Sequence, residues 1–250
     1  MHDGHPATPA PGCPGRGLPY HGPARRTPAT RWVLRWATAA LAVIASLSGT
    51  RTAWAQPDPD RQVWVQVLAL GELGEQWRTH VEVQPRFMDS ASELGLTLVR
   101  AALGHSAGRR MTVWAGYAWV PRTLGPGVRH EQRAWEQLIV TPPAAGLWTS
   151  SLRFRLEQRW LEPWTGASHR LRMLGRAQRP IQAGRKWSLY AYDELMLTLD
   201  DTTQGPTSGF DRNRLSSGLS RRLSPTASTD VGYLWEHAVG ADGRRDDHVF

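Results

Sequence analysis

The sequence predicts an all-β fold, an antiparallel up-and-down transmembrane β-barrel of about ten to twelve strands with an incomplete last strand. Three observations predict this fold. Apolar and charged residues alternate with period two in one segment after another, which is typical of strands with two unlike faces. Many of these segments run for ten to thirteen residues, whereas an average globular strand has about five or six and a tilted membrane strand needs about 9–11. An export signal precedes them.

The N-terminal segment divides into two parts. Residues 1–30 are rich in Pro, Gly, His and Arg without an apolar period, so we interpret them as a disordered or over-called start. Residues 31–55 combine basic residues, a short apolar run and an Ala-x-Ala ending, which predicts a secretory signal peptide cleaved after Ala55. The run is too short for a spanning helix of about 20 residues. We therefore expect a barrel domain over residues 56–250, located in the bacterial outer membrane.

Removal of this leader changes the charge of the chain. The net charge at pH 7 falls from +8 to +3, because residues 1–55 hold six of the 30 Lys+Arg and one of the 22 Asp+Glu. The basic composition therefore gives no reason to expect a nucleic-acid partner. Cys13, the single cysteine, also lies in the leader. The mature chain can form neither a disulfide nor a thiolate zinc site, and we expect no cofactor.

The first half of the barrel begins with a mixed strand over residues 62–70, and the first clean alternation follows over residues 77–87. Small residues on one face of the later strand at residues 111–120 leave room for long side chains from its neighbours. In the predicted strand over residues 130–141, which alternates least regularly, Glu136 falls on the apolar parity. The remaining expectations are strands over residues 94–103 and 130–141 and a loop over residues 121–129.

The second half contains the clearest strand, residues 148–160. Leu152 and Phe154 share one parity there, and Arg153 and Arg155 share the other. Bacterial single-chain barrels have even strand numbers, so ten strands plus a stub imply that residues 62–70 do not span or that the last strand is missing. The other expected segments are strands over residues 169–178, 187–199, 210–223 and 227–235, a polar loop to residue 247 and a stub at residues 248–250.

The arginine-rich face of each strand indicates which surface of the barrel is hydrated. An Arg that faces the middle of a bilayer costs roughly 2–4 kcal/mol, so these side chains should face the lumen. Glutamates of the same parity can pair with guanidinium groups in bidentate fashion. The predicted lumen charge network comprises Arg78, His80, Glu82, Arg86, Arg153, Arg155, Glu157, Arg159, Arg170, Arg172, Arg176, Glu194, Arg212 and Arg214.

Tryptophan is abundant near the predicted strand ends, and ten of the 13 Trp follow residue 55. Amphipathic aromatic rings concentrate at membrane interfaces, so this placement predicts aromatic girdles. The predicted girdle residues are Trp77, Trp119, Trp148, Trp160, Trp187 and Trp235.

Five segments resemble the family known as domain of unknown function 2490: WAGYAWVP at residues 114–121, HEQR at 130–133, RFRLEQR at 153–159, YDEL at 192–195 and FDRNRL at 210–215. The resemblance covers residues 64–250 and implies an outer-membrane-type barrel without an assigned activity. Family members finish with a complete last strand, whereas this chain ends as one begins. Phe250 is aromatic, as barrel-assembly signals usually are, although Asp246 and His248 occupy positions where apolar residues are expected. The expected partners are outer-membrane lipid and the barrel-assembly machinery.

Three functions remain open. The first is a structural barrel or a narrow pore, and side chains that fill the lumen favour the structural form. The second is a lipid-modifying barrel enzyme, for which His130 beside Glu131 would be the base, but no nucleophile motif such as Gly-x-Ser-x-Gly occurs. The third is a soluble periplasmic barrel that binds a small molecule or ion. No catalytic residue and no metal ligand can be assigned.

Overall fold

The computed structural model describes residues 59–124, 127–181, 186–202, 206–240 and 243–250. The two predicted leader segments, residues 1–30 and 31–55, lie outside these ranges. Every regular element of the described residues is a β-strand. This part of the chain contains no helix with the length and apolar character that crossing a membrane requires.

The described residues form twelve strands. The nine strands β3 to β11 have 12–14 residues each, long enough for a tilted membrane strand. The strands are β1 Asp60–Trp64, β2 Val67–Leu73, β3 Trp77–Met88, β4 Glu93–Ser106, β5 Met111–Leu124, β6 Gly127–Val140, β7 Thr149–Leu161, β8 Ser168–Pro180, β9 Trp187–Thr198, β10 Gly209–Arg222, β11 Ser228–Gly240 and β12 Gly243–Val249.

Eleven of these strands, β1 and β3 to β12, close into a ring. Each strand from β3 to β11 pairs antiparallel with the strand that follows it in the chain. β1 closes the ring by pairing in parallel with β12, where Gln62 lies opposite Val249, and antiparallel with β3, where Trp64 lies opposite Arg86. With an odd number of strands that reverse at every turn, the first and last run the same way, so the closing pair is parallel. β2 pairs with β3 alone. It continues the register of the β1–β3 pairing, because Val67 lies opposite Val83 three residues after Trp64 lies opposite Arg86.

The prediction of an all-β barrel of about ten to twelve strands is confirmed, because eleven of the described strands form the ring. The first predicted strand, residues 62–70, is divided into β1 and β2 at residues 65–66. Only β1 takes part in ring closure. The last strand is short, with the seven residues of β12.

Two predicted loops are largely strand. β5 continues through Pro121 to Leu124, because its pairing with β6 persists on both sides of the single donor that proline removes. β11 continues past Trp235 to Gly240, and β12 begins at Gly243. The polar residues of that segment suggested a solvated loop, but Glu236 and Asp247 are 3 % and 0 % exposed inside the ring.

The two faces of the ring are reversed relative to a soluble protein. Arg155 and Glu157 are 2 % and 0 % exposed, whereas Phe154, on the other parity of the same strand, is 42 % exposed. Charged side chains therefore face the interior and apolar side chains face outward. A soluble barrel would place them the other way round.

Candidate functional site

Four carboxylates and four arginines on β7 to β11 form a closed circuit inside the barrel, which we call the ion-pair ring. Seven of its eight side chains are at most 12 % exposed. Each charge contacts two opposite charges, so no member is left without compensation. The successive pairs are Glu157–Arg172 (2.8 Å), Arg172–Glu194 (2.6 Å), Glu194–Arg214 (3.5 Å), Arg214–Glu236, Glu236–Arg212 (3.0 Å), Arg212–Asp211 (3.2 Å), Asp211–Arg170 (2.9 Å) and Arg170–Glu157 (2.6 Å).

A β-bulge adds one of these carboxylates to the ring. Strict alternation would place Asp211 on the outer face, because its neighbours Phe210 and Arg212 would then share the inner face. The register between β9 and β10 shifts between Phe210 and Arg212. An extra residue in one strand redirects the local side chains. Asp211 consequently reaches both Arg170 and Arg212.

One more buried carboxylate, which is not a member of the ion-pair ring, extends the ion pairs toward β5 and β6. Glu131 is 1 % exposed and receives hydrogen bonds from three arginines. Arg122 Nη2 donates at 2.8 Å, and Arg133 Nε and Arg159 Nε each donate at 2.7 Å. Arg133 also lies 3.8 Å from Glu157, so the second cluster joins the ion-pair ring.

The opposite side of the interior, on β3 to β7, is aromatic. We call His80, Arg100, Trp114, Trp135 and Arg155 the aromatic wall. The Arg155 guanidinium lies 4.3 Å from the centre of the Trp135 ring, and that of Arg100 lies 5.9 Å away. The His80 ring lies 6.0 Å from Trp114 and 6.2 Å from Trp135. Cation–π contacts here take the place of some of the carboxylate partners found in the ion-pair ring.

Small residues make room for the two indoles of the aromatic wall. A Cβ atom on Gly104 would lie 2.5 Å from Cδ2 of Trp114, and one on Gly116 would lie 2.5 Å from Cζ2 of Trp135. Side chains approach no closer than ordinary van der Waals distance in well-packed interiors. The small face predicted for the strand at residues 111–120 therefore receives long side chains from its neighbours.

The aromatic wall holds several nitrogen donors without an acceptor among the described residues. They are Arg100 Nε, Trp135 Nε1, Trp114 Nε1 and Arg155 Nη1, the last of which still lies within ion-pair distance of Glu157 Oε1, at 3.6 Å. Arg155 uses its other nitrogens on Gln137 Oε1, at 2.9 and 2.6 Å. Each unmade hydrogen bond of a buried donor costs roughly 1–3 kcal/mol. A negatively charged or hydrogen-bond-accepting group would recover that free energy.

A further aromatic contact joins β1, the strand that closes the barrel, to β3 and β10. Trp64 on β1 lies between Arg86 and Arg214, whose guanidinium carbons are 3.5 and 4.8 Å from its ring centre. Arg86 donates hydrogen bonds to Gln84 Oε1 at 3.1 and 2.7 Å. The indole thus bridges β3 and β10 across the interior.

The 14 residues predicted as a lumen network do not form one cluster. Six belong to the ion-pair ring, and Arg153 bonds to one of its carboxylates, Glu194. Arg159 contacts the second cluster, and His80 and Glu82 pair with each other at 3.0 Å. Arg78 and Arg176 are not members of the ion-pair ring. They form ion pairs with Glu72 and Asp230, respectively. The six predicted residues that belong to the ion-pair ring are Glu157, Arg170, Arg172, Glu194, Arg212 and Arg214.

Several interior charges were missed by the sequence reasoning. Arg100, Glu131 and Arg133 lie on the inward parity of their strands, which was a usable signal. Glu236 lies one residue beyond the predicted strand at residues 227–235, so the alternation of that strand did not include it. Asp211 carries no signal in the alternation, because only the bulge brings it inside.

Four of the six tryptophans predicted as girdles lie at or next to strand ends, whereas Trp119 and Trp235 lie near the middle of β5 and β11. Trp77 and Trp187 begin β3 and β9, and Trp148 precedes β7, so these three share one rim. Trp160, next to last in β7, lies at the other rim, and Trp119 and Trp235 lie in the halves of β5 and β11 nearest to it. Four of the six side chains are 42–52 % exposed.

The histidine considered as a catalytic base lies on the outer face. The His130 ring stacks on exposed Trp119, with ring centres 5.7 Å apart and an interplanar angle of 14°. It therefore lies outside the charged interior. No group of three or more His, Cys, Asp or Glu in the described ranges could hold a metal ion.

Comparison with known proteins agrees with the motif resemblance. A family model described as protein of unknown function (DUF2490) matches residues 61–246. An uncharacterised protein of Methylorubrum extorquens AM1 is 31% identical over 217 residues, which is 84% of this chain and 92% of the relative. A structure of the NanC porin in a rhombohedral crystal form has a TM-score of 0.45 and 10% identity, over 72% of this chain and 85% of the porin. The predicted family membership is confirmed, and the chain belongs to the DUF2490 family.

Proposed function

We propose that the protein is an outer-membrane β-barrel of structural type, with an interior filled by ion pairs rather than open as a pore. The observation that carries this proposal is the reversed distribution of side chains in a closed ring. Val81, Leu152 and Leu215 are 52 %, 42 % and 53 % exposed on the outer face of long strands. Such an apolar surface requires an apolar environment, which a bilayer supplies.

The interior supports a closed rather than a conducting barrel. Arg133, Arg155 and Glu157 are 5 %, 2 % and 0 % exposed, and they join the ion-pair ring to the aromatic wall. A pore needs a continuous solvated path, whereas these side chains exclude water from the section that they occupy. Ion pairs and cation–π contacts connect strands on opposite sides of the interior, so the filling also stiffens the barrel.

A narrow anion pathway is the second candidate. Arg86 and Arg155 donate their hydrogen bonds to glutamine oxygens rather than to carboxylates. The interior therefore has an excess of positive charge, which attracts anions. A pathway would require the side chains around Glu157 to move apart.

Two measurements on the full chain refolded into phosphatidylcholine vesicles test the proposal. We expect the protein to float with the vesicles and to migrate differently on gels with and without heating, because a closed barrel resists detergent. In planar bilayers, we expect no steady conductance above the leak of lipid alone. Recovery as a folded, detergent-free protein in the aqueous fraction would overturn the membrane barrel. A steady anion-selective conductance would favour the second candidate.

A further inference from the structure

Two arginines of β7 to β10 lie on the outer face of the barrel. Arg179 is next to last in β8 and lies opposite Leu189, which is 49 % exposed on the outer face. Arg221 is next to last in β10 and lies opposite Trp187, which shares the parity of Leu189. The other arginines of these four strands lie on the inner parity. An outward arginine is costly at mid-bilayer depth, but the cost nearly disappears close to the membrane surface, where these two strand ends lie.

Each of these arginines contacts a tryptophan of the same rim. The guanidinium carbon of Arg179 lies 5.7 Å from the ring centre of Trp148, and that of Arg221 lies 5.2 Å from the ring centre of Trp187. Because β7 to β10 are successive neighbours in the sheet, these four side chains alternate along the rim. We call Trp148, Arg179, Trp187 and Arg221 the Trp–Arg row. A guanidinium that lies over an aromatic ring keeps the N–H groups at its edge available for an acceptor.

The positive charge of the Trp–Arg row is not compensated by its outer-face neighbours. In the interior, by contrast, Arg214 of β10 contacts both Glu194 and Glu236. The outer-face positions that flank the two arginines of the row are all uncharged. They are Ala177, Ile181, Leu189, Leu219, Leu223 and Thr229. The row therefore presents two guanidinium groups to an anion from outside the barrel.

The row differs from an aromatic girdle without charge. The four other tryptophans predicted as girdles have uncharged amides or histidine rings beside them. Trp77 contacts His105, Trp119 contacts His130, Trp235 contacts His237, and Trp160 lies opposite Gln132. Tryptophan alone favours the membrane surface without selecting a head group. Paired arginine adds a preference for negative charge, and only on the side of the barrel that β7 to β10 form among the described strands.

We propose that the Trp–Arg row binds the phosphate groups of anionic glycerophospholipids. Each guanidinium donates paired hydrogen bonds to the non-bridging oxygens of one phosphate, and the indole beside it lies at the depth of the glycerol esters. A zwitterionic lipid binds less well, because its own ammonium group is repelled by the uncompensated guanidinium. The inference rests on the proposed membrane location, since the bilayer supplies the lipid.

Lipid enrichment beside the row tests the ligand class. The probe site is a bimane-labelled Ile181→Cys in a Cys13→Ser background of the full chain, since Ile181 is 47 % exposed and lies two residues from Arg179. The protein is refolded into phosphatidylcholine vesicles that contain a nitroxide-labelled lipid, either phosphatidylglycerol or phosphatidylcholine. We expect labelled phosphatidylglycerol to be enriched about fivefold at this position, as judged by bimane quenching. Equal quenching by the two lipids would overturn the proposal.

Two controls locate the enrichment and identify its source. Val128→Cys, labelled in the same way, reports on the opposite rim, where Val128 is 56 % exposed on β6. We expect the two lipids to quench equally there, and enrichment of the same size at both positions would contradict a site on the row. Millimolar inorganic phosphate should not displace the lipid, because the bilayer holds its head groups at a far higher local concentration. Displacement would overturn the assignment to lipid.

A charge-matched pair of double variants tests the row itself. Arg179→Gln with Arg221→Gln should reduce the fivefold preference for phosphatidylglycerol to about one. Arg109→Gln with Arg110→Gln removes the same charge from the turn between β4 and β5, at the same rim but outside the row, and should keep the preference. Equal losses in the two variants would show a general attraction by the rim and would overturn the site.

The outcomes separate this inference from the proposed function. Folding of each variant is checked by its migration on gels with and without heating. If the row variant does not fold, the comparison of the two lipids at Ile181 and Val128 in the parent protein still decides. Failure to float with the vesicles would overturn the proposed function, whereas flotation with equal quenching at Ile181 would overturn this inference alone.

Discussion

Glu157 shows at the scale of one residue how this barrel tolerates buried charge. Its side chain is fully buried, and Arg170 and Arg172 donate hydrogen bonds to its two oxygens at 2.6 and 2.8 Å. Removing water from an ion costs several kcal/mol unless opposite charges replace the water. Here the replacement comes from one neighbouring strand, β8, so the burial of Glu157 depends on the register between β7 and β8.

Glu157→Gln should lower the free energy of unfolding by about 3 kcal/mol, because Arg170 and Arg172 then lose a shared charge in a dry interior. Urea unfolding in lipid vesicles, followed by tryptophan fluorescence, measures the change. Glu72→Gln is the matched control, since the Glu72 side chain is 73% exposed and, among the residues that the structure describes, forms an ion pair with Arg78 alone. An exposed pair contributes less than about 1 kcal/mol. Equal effects of the two substitutions would contradict the central role of Glu157.

Gly116 lies where added volume would meet backbone as well as side-chain atoms beside the aromatic wall. A Cβ atom there would lie 2.6 Å from the Ala101 carbonyl oxygen and 2.6 Å from Cβ of Ala102, neither of which can rotate away. We expect Gly116→Ala to destabilise the barrel by about 1–3 kcal/mol. Gly127→Ala meets nothing within 4 Å and should leave stability unchanged or raise it. Thermal unfolding of both variants distinguishes these outcomes.

At the scale of strand pairs, the outer face carries two carboxylates with amide partners. Gln158 Nε2 donates to Glu136 at 3.0 Å between β6 and β7, and Asn213 Nδ2 donates to Asp193 at 2.6 Å between β9 and β10. Glu136 thus lies on the apolar parity that the sequence indicated. The amide side chain satisfies one carboxylate oxygen without a second charge, which lowers but does not remove the cost of placing a carboxylate on an apolar surface.

Replacing the pair Glu136 and Gln158 by leucines should raise the unfolding free energy in vesicles by about 1–2 kcal/mol, because acyl chains then meet an apolar surface. Gln137→Leu on the inner face of β6 is the control and should act oppositely, since it removes the acceptor of Arg155. Urea titrations of the refolded variants test both signs. A loss of stability in the double leucine variant would show that this outer surface does not meet lipid.

At the scale of the whole molecule, the ring depends on a short parallel pair. Three residues of β1 lie beside β12, and two lie beside β3. Backbone hydrogen bonds extend the closure by one residue, since Phe250 N donates to Gln62 O at 2.9 Å and Trp64 N donates to Phe250 O at 3.3 Å. These few backbone pairs between β1 and the β12 segment therefore hold the ring closed.

Cysteines at Gln62 and Val249 should form a disulfide, because directly opposed residues of neighbouring strands have the Cα spacing that the bond requires. Faster migration of the oxidised protein on unheated gels measures this closure. Cysteines at Gln62 and Leu234 lie on strands separated by β12 and should not react. The reverse pattern of reactivity would show that the barrel closes between β1 and β11.

Much of the interior could be predicted because side chains in a strand alternate. The position of Arg153, Arg155 and Glu157 on one parity was sufficient to place them on a common face. Their contacts could not be predicted, because Arg153 bonds to Glu194, which lies 41 residues away on β9. Register and bulges decide such meetings, and one shifted residue at Asp211 changes the face of a charge.

The sequence by itself determined the all-β class, the two faces of each long strand and the family, because each depends on local period or local motif. Only the tertiary structure decided the odd strand number, the parallel closing pair and the circuit of the ion-pair ring. These features arise where strands distant in the chain become neighbours, and the alternation within one strand carries no information about its neighbour's register.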